Sequence, residues 1–74
     1  MKEMLSAISS SIKKERKSQG LTQTELANLS GVSINFISQL EQGKATVQLD
    51  RVLMVLETLG LRLKVIYAHE GVAQ

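Results

Sequence analysis

Residues 21–43 read LTQTELANLSGVSINFISQLEQG, and this stretch decides the fold. It divides at Ser30-Gly31-Val32 into two segments of helical period. Thr22 caps the first segment through its hydroxyl, and Glu25, three residues on, reaches back to the Thr22 amide. Leu21 and Leu26 stand at the two positions of a hydrophobic staple. Leu26 and Leu29 are expected to point inward, and Ala27 is small enough for another helix to approach closely. Gly31 ends the segment, because glycine takes a positive φ at little steric cost. Ser33 then caps a second segment that runs to about Gln42. The stretch is therefore two short helices joined by a tight turn.

The second helix divides its residues at about 100° per residue. Phe36, Ile37, Leu40 and Glu41 gather on one side; Asn35, Ser38, Gln39 and Gln42 gather on the other, with Ile34 at the edge. A purely solvated face usually carries Lys and Glu. This one carries amides and hydroxyls, groups that donate and accept at base edges in a DNA major groove. The plainer alternative is an exposed face that happens to be uncharged. The paired helices, the turn glycine and the flanking lysines favour DNA.

With these residues in view, the segment resembles the Cro/C1-type helix-turn-helix of phage and bacterial repressors, the Xre family. The resemblance rests on Gly20-Leu21-Thr22-Gln23, Glu25-Leu26-Ala27, Gly31-Val32-Ser33, Ile37-Ser38-Gln39 and Glu41-Gln42-Gly43-Lys44. It covers about 50 of the 74 residues. It implies that Gln23 braces the DNA backbone and that Ser33, Ile34, Asn35, Ser38 and Gln39 face the groove. Lys44 then sits near a phosphate, and Thr22 and Gln42 complete the expected DNA-binding set. Arg16 and Glu41 occupy the positions at which such repressors hold an internal ion pair, so both are expected to be structural.

The remaining sequence bounds the answer. A 74-residue chain suits one domain with a marginal core. Hydrophobic residues make up 43%, yet Phe36 and Tyr67 supply all the aromatic character. Without cysteine there is no disulfide framework and no cysteine-based metal site or nucleophile. No apolar run is long enough to span a bilayer and no signal-peptide pattern opens the chain, so a cytoplasmic, nucleoid-associated location is expected. Net charge is only +2, so any attraction to a polyanion must be local.

Met1 to Gln19 reads as a first helix, with Leu5, Ile8 and Ile12 at core spacing and Gly20 as its stop. Lys13, Lys14, Arg16 and Lys17 crowd its end. They complement the helix macrodipole, and Lys13, Lys14 or Lys17 also attracts phosphate. Lys44 to Gln48 forms a short loop. A fourth helix follows from about Leu49 to Leu59, with Leu49, Val52, Leu53, Leu56 and Leu59 as the expected buried stripe.

From Leu61 to Tyr67 the period changes to strict alternation, the signature of a β-strand. Leu61, Leu63, Val65 and Tyr67 share one face; Arg62, Lys64 and Ile66 share the other. One strand in a helical chain cannot satisfy its own backbone, so its expected partner is the same strand of a second copy. A frayed end or an extra helix are the alternatives. A domain of this type ending in a strand resembles HipB-like antitoxins. That resemblance implies strand pairing across a homodimer, repression of its own operon, and a HipA-like kinase toxin as partner.

The expected fold is thus mainly α: a four-helix, lambda-repressor-like helix-turn-helix domain over 1–60, a dimerisation strand over 61–67 (Leu61, Leu63, Val65, Ile66 and Tyr67), and a flexible tail over 68–74. The expected function is sequence-specific repression from a palindromic operator, as a HipB-like antitoxin or as a stand-alone or phage-type repressor. A protein-binding adaptor on the same fold is the rival. No cofactor, metal or membrane is called for. An enzyme is not expected, because the single histidine, His69, has no evident partner and the carboxylates serve caps and ion pairs.

Overall fold

The computed structural model describes residues 2–44 and 48–67. Four helices follow one another: α1 (Lys2–Ser18), α2 (Gln23–Ser30), α3 (Ile34–Glu41) and α4 (Leu49–Thr58). The capping chemistry read from the sequence is present. The Glu25 N–H donates to Thr22 Oγ1 at 3.0 Å, and the Thr22 N–H donates to Glu25 Oε1 at 2.8 Å. Ser33 Oγ accepts from the Phe36 N–H at 3.1 Å and starts α3.

The helices end in one shared way, which sets the angles between them. At the ends of α1, α2, α3 and α4, Leu21, Val32, Lys44 and Leu61 each donate an N–H five residues back. Gly31 makes this possible between α2 and α3, where its φ of +78° lets the Val32 N–H reach the Ala27 carbonyl at 3.1 Å. Leu21, Val32 and Leu61 then fold onto the core as partly buried apolar residues. Lys44 is the exception, a cation in the position that elsewhere holds an apolar anchor.

α2 packs on α3 and α4, and α1 packs on α3. Ile12, Leu26, Ile37 and Val55, one from each helix, are the large side chains fully removed from solvent. Burying each such side chain contributes roughly 1.5–3 kcal/mol.

Two expectations need correction. Leu29 is 64% exposed rather than buried. Leu26, Ala27 and Ser30 form the inward row of α2, and Leu29 lies roughly 110° round the helix from the row's centre. In α4 the buried row is Val52, Val55, Leu56 and Leu59, while Leu49 and Leu53 are exposed. The expected stripe omits Val55, which is fully buried. Residues 61–67, expected to pair as a strand with a second copy, have no regular secondary structure in the single chain, and there is no strand among the described residues. A single chain offers that segment no ladder partner. The loop residues 45–47, the tail from Ala68 to Gln74 with His69, and Met1 lie outside the described residues. No described helix is long and apolar enough to cross a membrane.

Candidate nucleic-acid interface

The candidate interface is built on α3. Ser33 fixes the start of the helix, and Phe36, Ile37 and Leu40 anchor it in the core. Burial of those three residues leaves Ile34, Asn35, Gln39 and Gln42 on the exposed side, with Ser38 half-buried among them. Asn35 and Gln39 carry no hydrogen bond to another side chain among the described residues, so both faces of each amide are open to an outside partner. Gln42 Nε2 donates to Ser38 Oγ at 3.1 Å, which orders the far end of the row. Ser33 and Thr22 spend an oxygen lone pair on capping and keep a hydroxyl proton to donate.

Behind this row three side chains tie α1, α2 and α3 together. Arg16 Nε donates to Glu41 Oε2 at 2.6 Å and Arg16 Nη2 donates to Glu41 Oε1 at 3.1 Å, a bidentate pair. Gln23 Nε2 donates to the same Glu41 Oε1 at 3.1 Å. A third Arg16 nitrogen, Nη1, donates to the Leu21 carbonyl at 2.7 Å and fixes the turn into α2. The Glu41 side chain is only 3% exposed. Burial opposes its charged form, but the hydrogen bonds from Arg16 and Gln23 and the charges of Arg16 and Lys13 more than offset that, so its pKa lies below the ordinary 4.5. Lys13 therefore reaches the C-terminal end of α3 electrostatically.

Lys44 is exposed just beyond α3. Its backbone is held there by the bond from its N–H to the Gln39 carbonyl at 3.1 Å, across Gly43 at φ +76°. Main-chain geometry thus fixes the Lys44 backbone near the end of the polar row. The Lys44 cation is not tied down by an ion pair among the described residues.

The helix-turn-helix family model matches residues 12–66, from the middle of α1 to the segment beyond α4. This chain is an Xre-type helix-turn-helix protein. A relative from Sinorhizobium fredii, described as the "uncharacterized HTH-type transcriptional regulator y4mF", is 47% identical over 55 residues, or 74% of this chain and 72% of the relative.

In this helix-turn-helix protein, the structure brings Thr22, Gln23, Ser33, Asn35, Ser38, Gln39, Gln42 and Lys44 onto two adjoining helices and their ends. Of the residues expected to pair across a dimer, Leu61 and Leu63 line one groove beside α4. Leu61 packs on the core, whereas Leu63, Val65, Ile66 and Tyr67 are exposed. The reading of the sequence missed two connections. One is the bond from Gln23 to Glu41, since Gln23 had been assigned only to DNA. The other is Gln19, whose Nε2 donates to the Leu59 carbonyl at 2.9 Å and pins the end of α4 to the end of α1. Neither partner is near in sequence, so no local spacing reveals them.

Proposed function

We propose that this protein is a homodimeric, sequence-specific DNA-binding repressor of transcription that sets two copies of α3 into successive major grooves of a palindromic operator. The observation that carries the reading is the uncharged polar row on α3, open to solvent and backed by a bidentate ion pair. Asn35 and Gln39 suit the donor and acceptor pair of adenine, Ser33 and Ser38 adapt to several bases, and Ile34 suits a thymine methyl. Thr22, Gln23 and Lys44 serve the phosphates, which give affinity without sequence information. The name of the Sinorhizobium relative, a transcriptional regulator, supports the same reading. Occupying an operator blocks polymerase, which favours repression over activation.

The exposed alternating segment after α4 supports a dimer through paired strands from two copies. It is also the feature that resembles HipB-like antitoxins, which makes a HipA-like kinase toxin the protein partner to test by co-purification. The DNA reading is tested by selecting duplexes from a random pool and titrating salt against the selected site. The expected result is a palindromic consensus, with affinity that falls steeply as salt rises. A pool with no consensus, together with a salt-insensitive protein complex, would favour the adaptor instead.

A further inference from the structure

The outward side of α4 bears a surface that the DNA-facing residues leave unused. Leu53 and Met54 line a groove of about 520 Å³ between α4 and the segment that follows it, with Leu63 on the opposite wall. All three are exposed. Leu49 is exposed one turn before Leu53 on the same helix. Glu57 and Arg62 line the groove as well, and neither makes an ion pair among the described residues. Arg62 to Tyr67 make no backbone hydrogen bond among the described residues.

We propose that this groove is the second half of the dimer interface and that the tail of a second copy fills it with the partner subunit's Val65 and the partner subunit's Tyr67. The inference rests on the strand pairing proposed above and extends it onto α4. Size is the first argument. A seven-residue strand is about 23 Å long, and an isolated two-stranded ribbon of that length is marginal in water. A stable interface covers roughly 800 Å² on each partner, so the ribbon needs an apolar backing surface. α4 presents one beside the place where the tail departs.

Charge is the second argument, and it selects a second copy over an unrelated partner. A two-fold interface brings the same patch together from both sides. A two-fold axis that passes between the anion and the cation makes such a patch complementary to itself, with Glu57 of each chain set against Arg62 of the other. Val65 and Tyr67 are the most exposed apolar residues of the described tail and share the alternating face with Leu63.

The test is sedimentation equilibrium on the full chain and three variants: Leu53→Glu, Glu57→Lys and Arg62→Glu. The wild-type chain is expected to be a dimer. Leu53→Glu, at a position exposed in the single chain, should keep the helical circular dichroism and weaken the dimer by at least about 100-fold. Glu57→Lys and Arg62→Glu should each weaken it about fivefold. An equal mixture of those two should recover wild-type affinity, since the mixed dimer restores both crossed charge pairs and an intrachain pair would not be rescued. A wild-type dimer that Leu53→Glu leaves intact, or a mixture no tighter than its components, overturns the groove and leaves strand pairing standing. A monomeric wild-type chain overturns both.

Discussion

Asn35 and Gln39 differ from the other polar residues of α3 in having no side-chain hydrogen-bond partner among the described residues, and the proposed base reading is tested at them. Replacing Gln39 with alanine is expected to cost roughly 1–3 kcal/mol on the selected operator and to relax preference at one base pair, with little change on random duplex. Fluorescence anisotropy on both duplexes checks this; equal loss on the two would remove Gln39 from the bases. Glu41 acts at the same scale but on stability. Because its folded pKa lies below 4.5, the pair it makes with Arg16 stabilises the fold fully above that value. The contribution is lost as pH falls through the lowered folded value. Urea midpoints should therefore drop as pH falls from the ordinary 4.5 through the lowered folded value in the wild type. Glu41→Gln should lower stability near neutrality by roughly 3 kcal/mol and flatten that acid limb. An unchanged limb would mean that other carboxylates govern acid unfolding.

At the scale of elements, the helix ends explain how a cation comes to stand beside the polar row. Three of the four helix ends place an apolar residue after the glycine, and the end of α3 places Lys44 there. Lys44→Ala should weaken binding to all duplexes alike and reduce the slope of log affinity against log salt by about one. A slope equal to wild type would place Lys44 away from the phosphates. Elements were also where the sequence was most legible. Thr22, Glu25, Gly31 and Ser33 act through bonds to residues within five positions, so their spacing carried the boundaries of α2 and α3. Leu29, Leu49 and Leu53 misled because a leucine reports hydrophobicity but not which neighbours arrive. In short helices the inward direction is set by tertiary packing, through Val55 in one case and Ser30 in another. The tie from Gln23 to Glu41 spans 18 residues and the tie from Gln19 to Leu59 spans 40, beyond any local signal.

For the whole molecule, the proposed function depends on the relation between two copies, and an alternating segment that a single chain leaves without a ladder is the part of the sequence that speaks to it. A chain ending at Leu61 keeps the core and the Leu61 packing but loses the proposed pairing surface. It is expected to sediment as a folded monomer and to bind the operator at least about tenfold more weakly, because linked half-sites bind with an effective concentration that separate chains lack. A truncated chain that remains a dimer would exclude the tail from self-association. The most direct test of the central claim, that the polar row of α3 reads bases twice on one duplex, is 7-deazaadenine substitution interference together with hydroxyl-radical footprinting on the selected operator. The expected pattern is two patches of major-groove interference with centres one helical turn, about 34 Å, apart, both lost in the Asn35→Ala, Gln39→Ala double variant. Uniform backbone protection without base interference, or a pattern that survives the double variant, would contradict it.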